Sequence, residues 1–224
     1  MRYAILSDIH ANLHALEAVL SDIEKNNPER IICLGDVVGY GAYPNECLEL
    51  IHQHVDKVIA GNHDHAAVGL TDIGAFNQFA FHAALWTRKV LTREHNQYLR
   101  GLPLDHQEFN IYFVHASPLL PEQWFYIFSD FDAEHAMAHA PTATVFIGHT
   151  HVPNDHRTRR GRLINVGSVG QPRDGDPRAA YTLFDSETGE RRLIRLTYNL
   201  QAAGKAILNA GLSRFLAERL ALGR

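Results

Sequence analysis

The sequence predicts a mixed α/β fold with more than one β-sheet, and two features of the 224-residue chain predict it. Strand-like and helix-like segments alternate through the first third of the chain, a pattern typical of βαβ units with parallel strands. In the second half, strand-like segments follow one another closely, which is typical of hairpins. The two patterns together require parallel and antiparallel pairs, and therefore a mixed architecture.

Eight short runs rich in apolar and β-branched residues are predicted as strands. In chain order they are YAILSD, RIICLGD, KVIAGN, NIYFVHA, TVFIGHT, LINVGS, AAYTLFD and RLIRLTY. Asp174-Gly175 and Thr188-Gly189 are turn signals between the later runs. We therefore expect hairpins at both positions.

The first helix is predicted in NLHALEAVLSDIEKN, where apolar residues recur at helical spacing, namely Leu13, Leu16, Val19, Leu20 and Ile23. PNECLELIHQH repeats the pattern, and Pro44 suits its first turn. Residues 66–100 are predicted as a helical excursion, and residues 199–224 as a helical tail broken at Gly211. The whole chain, 1–224, is expected to be one domain.

Composition excludes several classes of protein. A formal net charge of −4 argues against a protein built mainly to coat nucleic acid or an anionic membrane. No apolar run approaches the ~20 residues that span a bilayer. Asp8 and His10 interrupt the N-terminal region where a signal peptide needs apolar residues, so a cytoplasmic protein is expected. Cys33 and Cys47 form neither a CxxC pair nor a disulfide framework.

Polar side chains collect directly after five of the predicted strands, at the edge where open α/β sheets bind ligands. The candidate ligands among them are Asp8, His10, Asp36, Asn62, His115, His149 and His151. A buried group of this kind needs a counter-charge, and mixed His/Asp ligation suits Mn, Fe, Zn or Ni better than Ca or Mg. Seven ligands are too many for one ion but suffice for two that share a carboxylate, ~3.5–4 Å apart.

The motifs DIH, GDVVGYG, GNHD, VHA and GHTH occur in this order from Asp8 to His151. Their order and separation resemble the calcineurin-like metallophosphoesterase superfamily. The segment NVGSVGQPRDGDPRAAY is further similar to a branch of small, single-domain bacterial members, although Val166 stands where proline is more usual. The resemblance implies a four-layer αββα sandwich of two mixed sheets with metals at one edge.

The resemblance also implies roles for single residues. Asp8, His10 and His151 would bind one metal, Asn62, His115 and His149 would bind the other, and Asp36 would bridge them. His63 would lie next to the leaving oxygen, and Asp64 would orient the His63 imidazole. A metal-bridging hydroxide would attack phosphorus, with phosphodiesters favoured over monoesters. The implied cofactors are two divalent ions, Mn first, with Fe, Zn and Ni as alternatives.

Some features remain open to two interpretations. GSVGQPR could offer its backbone amides and Arg173 to a phosphate, or could be a tight loop that supports the metal site. RTRRGR (157–162) is interpreted as a solvated hairpin rather than a nucleic-acid patch. Phe76, Phe79, Phe81 and Trp86 are interpreted as packing of the helical excursion rather than a base-stacking platform. The ten histidines outside the motifs are predicted not to bind metal.

Two other functions are less consistent with the sequence than a phosphoesterase. In a scaffold protein that kept the fold but lost enzymatic activity, metal-binding residues would be replaced by others. None of the candidate ligands is replaced in this sequence. A nuclease would want a basic channel, which the net charge disfavours. The expected partner is a small phosphorylated or nucleotide-like substrate, with neither a membrane nor nucleic acid. The motifs leave open whether that substrate is a diester, a monoester or a dinucleoside polyphosphate, and they leave the oligomeric state open.

Overall fold

Two mixed β-sheets of five strands each form the centre of the computed structural model, which describes residues 1–224. The strands in chain order are β1 (Arg2–Leu6), β2 (Arg30–Cys33), β3 (Lys57–Val58), β4 (Asp105–Glu108), β5 (Ile111–Val114), β6 (Thr144–Ile147), β7 (Asn154–Thr158), β8 (Gly161–Asn165), β9 (Ala179–Asp185) and β10 (Arg191–Leu196). The first sheet has the order β10-β9-β1-β2-β3 and the second β4-β5-β6-β8-β7. In the first sheet β1 pairs in parallel with β2 and antiparallel with β9.

Eight α-helices accompany the sheets, and none is long and apolar enough to cross a membrane. They are α1 (Leu13–Asn26), α2 (Pro44–His54), α3 (Asn62–Val68), α4 (Gln78–Val90), α5 (Arg93–Arg100), α6 (Asp130–Met137), α7 (Leu200–Asn209) and α8 (Arg214–Leu222). Helices α3, α4 and α5 occupy the predicted excursion, although α3 begins earlier, at Asn62. Helices α7 and α8 form the tail and are separated at Gly211, which has a left-handed backbone.

Alternating side chains on the strands create the layers. On β1, Tyr3 and Ile5 point between the two sheets, whereas Ala4 and Leu6 belong to the core beneath α1 and α2. On β5, Phe113 meets Tyr3 between the sheets, at 6.1 Å between ring centroids. Ile111 of β5 lies in the same cluster between the sheets, whereas Tyr112 and Val114 pack against α6. Because each sheet buries both faces, the order of layers is helix, sheet, sheet, helix, which confirms the predicted αββα sandwich.

The strands β4 and β7 and the helix α6 were not predicted. The sequences of β4 and β7, DHQE and NDHRT, lack apolar runs, and both strands lie at the edges of the second sheet. An edge strand that is partly exposed to solvent does not need an apolar run. Helix α6 is short, and its buried residues are mainly alanines. The hydrophobic pattern of the sequence therefore gives almost no signal for these elements.

One of the two predicted hairpin turns is wrong. Asp174-Gly175 lies between β8 and β9, which belong to different sheets and do not pair. The connection therefore crosses from one layer to the other. Thr188-Gly189 does join the antiparallel strands β9 and β10, as predicted. The basic segment 157–162 forms the predicted hairpin between β7 and β8.

Candidate metal centre

The ends of strands from both sheets bring the predicted polar residues together. Asp8 and His10 follow β1, Asp36 follows β2, and His115 follows β5 directly. The remaining three candidate ligands are Asn62, which begins α3, and His149 and His151, which follow β6. All seven side chains are buried. The structure therefore gathers every candidate ligand at one edge of the sandwich, as the strand directions require.

Two triads of side chains form at this edge. Asp8, His10 and His151 make the first triad, and Asp36, His115 and His149 make the second. In each triad the three ligand atoms lie within 4.8 Å of one another. The Asn62 Oδ1 atom lies 3.2 Å from His115 Nε2, next to the second triad. Two neighbouring groups with carboxylate and imidazole ligands can hold two divalent cations.

The backbone at the site is unusual. Five of the seven candidate ligands have a left-handed backbone, a region that non-glycine residues seldom adopt: Asp8, His10, Asp36, His149 and His151. Each such residue costs on the order of 1–3 kcal/mol, and backbone strain of this kind concentrates at functional sites. The surrounding loops hold it in place, because Asp8 N–H donates to Gly35 O and His10 N–H donates to Asp36 O. The loops therefore set the direction in which these side chains point.

Glycines let the loops approach closely. At Gly148 a Cβ atom would overlap Ser7 Oγ and Asp8 Oδ2, and at Gly61 it would overlap Asp36 Oδ1. Both glycines belong to the motifs GHTH and GNHD. Gly148 thus lets the loop after β6 of the second sheet touch the Asp8 carboxylate of the first, and Gly61 lets the loop after β3 touch Asp36 within the first sheet.

Three imidazoles are oriented by backbone carbonyls. The Nδ1 atom of His10 lies 3.1 Å from Val38 O, that of His115 2.8 Å from Leu34 O, and that of His151 2.6 Å from Gln171 O. If Nδ1–H is the donor in each case, Nε2 carries a lone pair directed into the site. Metal-bound histidines commonly have this second hydrogen bond, which fixes the tautomer and the ring.

Each aspartate uses only one of its carboxylate oxygens within the protein. Asp8 Oδ2 accepts a hydrogen bond from His149 N–H, and Asp36 Oδ1 accepts one from His63 N–H. Asp8 Oδ1, Asp36 Oδ2 and His149 Nε2 are buried and have no hydrogen-bond partner. Unpartnered buried polar atoms are costly. These three are ligand atoms of the two triads, so the residues present fit a pair of cations.

The geometry of the first triad also fits a bound cation. His10 Nε2 and His151 Nε2 lie 3.1 Å apart, although both rings already direct Nδ1 to a carbonyl. With both Nδ1 atoms protonated, two lone pairs would face each other. A cation between the rings turns this contact into ligation.

Burial dominates the electrostatics of the site. It raises the pKa of Asp8 to about 7 and lowers the pKa of His149 to about 3. Burial also lowers the pKa of His115, but the Asp36 and Asp8 carboxylates outweigh it and raise that pKa to about 9. Burial raises the pKa of Asp36, yet the His115 and His63 side chains bring it well below its usual range. The His149 imidazole is therefore neutral at pH 7 and available as a ligand, whereas His115 must release a proton when it binds a metal.

His63 lies beside the first triad, and the Asp64 carboxylate, expected to orient the His63 imidazole, makes no hydrogen bond to it. The His63 ring meets the His10 ring edge-on at 4.9 Å between centroids, and its Nδ1 atom has no partner. Asp64 directs its two oxygens to the backbone instead, accepting from Val38 N–H and Gly61 N–H at 3.1 Å and 3.0 Å. Asp64 lies at the third position of α3, where a carboxylate reaches back to the cap residue.

The loop GSVGQPR supports the first triad. Ser168 Oγ donates to Asp8 O, and Arg173 N–H donates to His151 O. The Arg173 guanidinium donates one hydrogen bond, to Gln171 Oε1 at 2.8 Å, and it still has capacity for a ligand because its Nε is buried without a partner. Val166 donates its N–H to Ile147 O at 3.0 Å, a hydrogen bond that proline could not make.

The other sequence expectations have plain outcomes. None of the ten remaining histidines belongs to either triad. Phe79 stacks on Phe215 of α8 at 4.3 Å, and Phe76 and Trp86 pack on the same core cluster. These aromatic residues of the excursion therefore serve packing, as interpreted. Cys33 and Cys47 are buried and free.

Three aromatic residues near the site were not predicted. The Tyr40 ring lies 4.4 Å from that of His63, Tyr126 stacks on His149 at 4.1 Å, and Trp124 meets His115 at 5.8 Å between centroids. The sequence signal that could have revealed the last two is WFYIF (124–128), which contains four aromatic residues outside any predicted strand or helix.

Known proteins resemble this chain over nearly its whole length. The model of the calcineurin-like phosphoesterase superfamily domain matches residues 1–189, which include all seven candidate ligands and Arg173. An uncharacterised protein of Methanocaldococcus jannaschii is 39% identical over 240 residues, covering 99% of this chain and 98% of its own. The crystal structure of a metallophosphoesterase from Sphaerobacter thermophilus is 38% identical, with a TM-score of 0.90 over 100% of this chain and 99% of that one. A hypothetical protein from Pyrococcus horikoshii, 24% identical, shares the fold with a TM-score of 0.88 over 100% and 98% of the two chains.

Proposed function

This chain belongs to the calcineurin-like phosphoesterase superfamily, and we propose that it is a metal-dependent phosphodiesterase with a dinuclear centre. Family membership supports phosphoester hydrolysis, and the dinuclear centre and the diester preference go beyond it. The observation that carries the proposal is the pair of adjacent buried triads. One oxygen of each aspartate and the His149 Nε2 atom remain unpartnered there.

In this proposal Asp8, His10 and His151 hold one cation, Asn62, His115 and His149 hold the other, and Asp36 lies between them. The position of Asp36 Oδ2 supports the bridging role. This atom is 3.7 Å from His10 Nε2 and 3.4 Å from His115 Nε2, so it faces one imidazole of each group. Carboxylates are well suited to bridging because each oxygen has two lone pairs.

Two divalent cations at such a site supply an activated water molecule and positive charge for the non-bridging phosphoryl oxygens. The chain itself supplies the aim of the ligands, through the carbonyls that fix the imidazole rings and through the left-handed loops. It also supplies a low-dielectric setting, because the ligands are buried. Electrostatic interactions are stronger in such a setting than in water.

We assign His63 to the leaving oxygen. Burial lowers the pKa of His63 to about 4, so the ring is neutral at pH 7 and carries one N–H. That N–H donates a hydrogen bond to the oxygen on which negative charge develops. An anionic substrate beside the ring raises the pKa of the imidazole, so the ring takes up a second proton from water and donates it to the leaving oxygen as the ester bond breaks.

Surfaces on two sides of the triads support a diester rather than a monoester. The rings of Tyr40 and Phe76 surround His63, with centroids 4.4 and 5.1 Å from it, and border the leaving-group side. Tyr126 and Trp124 border the second triad. A phosphodiester has an organic group for each side, whereas a monoester has only one. Arg173, which has no acidic partner, is assigned to an anionic oxygen of the substrate.

Manganese is the proposed metal. The donor set contains imidazole nitrogens and carboxylate or amide oxygens and no thiolate, because both cysteines are free and buried outside the triads. Donors of this kind accept Mn, Fe, Zn and Ni. Because ligand type alone does not separate these metals, all four belong in the experiment.

The proposal is tested by hydrolysis of bis(p-nitrophenyl) phosphate and p-nitrophenyl phosphate. Protein stripped by a chelator is reloaded with Mn, and its kcat/KM on the diester is expected to exceed that on the monoester clearly. Chelated protein and Asp36→Asn serve as controls and are expected to be inactive. Faster monoester turnover would overturn the diester preference. Inactivity on both esters with Mn, Fe, Ni and Zn would overturn the enzymatic function.

A further inference from the structure

Between β5 and α6 the chain presents aromatic side chains to solvent. Phe125 is 45% exposed, Tyr126 52% and Phe128 67%. Together with Trp124 they are called the aromatic strip below. A large apolar side chain is usually placed where it can be buried, and a contiguous exposed group commonly marks a binding site.

The aromatic strip begins at the second triad. The Tyr126 ring stacks on the His149 imidazole, with 4.1 Å between centroids and an interplanar angle of 25°. Phe128 continues the column, at 5.3 Å from Tyr126 and within 6° of parallel. The three rings thus form a nearly parallel column that runs from a candidate ligand out to solvent.

The surrounding structure holds the strip in place. Ile127, between Tyr126 and Phe128, is buried in the core cluster with α6, so its two neighbours are directed outwards. Phe128 N–H and Ser129 N–H both donate to Asp132 Oδ2, at 3.1 and 3.0 Å, and tie the end of the strip to the first turn of α6. The exposed rings are therefore presented by an ordered backbone.

We propose that the aromatic strip binds the nucleobase of a nucleoside phosphodiester whose phosphorus lies at the two triads. This inference rests on the proposed function and names its substrate class. A column of parallel rings favours a planar aromatic occupant, because stacking needs a flat partner and tolerates any base. The column starts at His149, a candidate ligand, so a nucleoside that lies along it extends outwards from the second triad.

In this assignment the two ester groups of the substrate lie on different sides of the metal centre. The leaving oxygen faces His63, and the retained nucleoside extends along Tyr126 towards Phe128. Phe128 lies at the far end of the column from His149, and the aromatic ring that it meets is Tyr126. A change at Phe128 therefore tests the strip without removing a group from either triad.

The test compares two diesters with the same leaving group, thymidine 5′-(p-nitrophenyl phosphate) and methyl p-nitrophenyl phosphate. With Mn-loaded protein, Phe128→Ala is expected to lower the ratio of the two kcat/KM values, thymidine ester over methyl ester, by about 5- to 150-fold, which is the usual loss when one stacking ring is removed. The change is expected mainly in KM. Phe109→Ala is the matched control, because Phe109 is 76% exposed in the turn between β4 and β5, at the opposite end of β5 from His115.

A binding measurement separates failure of the inference from failure of the proposed function. Calorimetric titration of the Mn-loaded protein with thymidine 5′-monophosphate and with methyl phosphate needs no turnover. Tighter binding of the nucleotide, lost in Phe128→Ala and kept in Phe109→Ala, supports the strip even if neither diester is hydrolysed. Equal affinities for the two ligands, or a Phe128→Ala variant that keeps the wild-type preference, would overturn it. If Phe128→Ala keeps the nucleotide preference and changes only the oligomeric state, the inference is overturned and the strip is a contact between copies of the chain.

Discussion

Asp8 and Asp36 each give one carboxylate oxygen to a backbone N–H and keep the other free. The sequence predicted that these residues meet, because Asp and His follow successive strands whose ends share an edge. It could not predict which oxygen is free, since that depends on loops from both sheets. The direction of the Asp64 side chain could not be predicted for the same reason. Its carboxylate caps α3 and makes no hydrogen bond to His63.

Loss of the His63 side chain is expected to reduce turnover while the metals remain bound. In His63→Ala, kcat on the chromogenic diester should fall by ~10²–10⁴, because the leaving oxygen loses its hydrogen-bond and proton donor. Elemental analysis of the same sample should give the wild-type metal content. His52→Ala, an exposed histidine on α2, is the matched control. An unchanged rate in His63→Ala would contradict its assigned role.

Asp64→Asn is expected to affect stability more than catalysis. Both oxygens of Asp64 accept backbone hydrogen bonds, and an amide can replace only one of them as acceptor. The free energy of unfolding should fall by about 1–3 kcal/mol, measured by urea denaturation. At temperatures where the variant is folded, kcat should stay close to the wild-type value. A large fall in kcat with normal stability would restore the role of Asp64 towards His63.

At the level of elements, the hydrophobic pattern predicted the strands that are buried and missed those at an edge. The runs of β1, β5 and β6 are apolar because helices cover one face and the other sheet covers the other. DHQE and NDHRT carry no such pattern, because edge strands are solvated. Asp174-Gly175 looked like a hairpin turn, but a dipeptide cannot reveal that the chain changes sheets there.

The close approach of the β1 and β6 loops is expected to depend on Gly148. In Gly148→Ala the new methyl group would meet Ser7 and Asp8, and would move the carboxylate out of the first triad. We expect Mn affinity to fall by about 10–100-fold, as when other groups that orient ligands are changed. The affinity is measured by competition with a chelator. Gly204→Ala is the control, since a Cβ there meets Ala217 at an ordinary 3.7 Å; equal affinities would contradict the account.

The hairpin of β7 and β8 is expected to lose stability with acid. Arg162 forms two hydrogen bonds to Asp155, at 2.7 and 2.6 Å, and these hold the pKa of the Asp155 carboxyl below its usual range. A folded pKa below the unfolded value stabilises the protein above about pH 4, and the effect is lost as pH falls through the lowered pKa.

Asp155→Asn should therefore lower the free energy of unfolding by about 1–3 kcal/mol at pH 7, less as pH falls below about 4. Urea unfolding at several pH values measures this difference. Glu218→Gln is the control, because Glu218 pairs with Arg214 on the exposed face of α8 and should change stability little. A wild-type-to-variant difference that stays constant down to pH 3 would contradict the ion-pair explanation.

At the level of the whole molecule, the site exists only where the two sheets meet. The first triad combines Asp8 and His10 from the first sheet with His151 from the second, and the second triad combines Asp36 with His115 and His149 in the same way. Two bound cations would thus join the sheets at one edge of the sandwich. The four-layer fold was implied by the family resemblance, whereas the aromatic strip, outside the predicted strands and helices, was not.

The most direct test of the dinuclear centre is anomalous diffraction from crystals of the Mn-loaded protein at the manganese edge. The account predicts two peaks ~3.5–4 Å apart. One should be surrounded by Asp8, His10 and His151, and the other by Asn62, His115 and His149, with Asp36 contacting both. A single peak, or metal bound away from these side chains, would contradict the central claim.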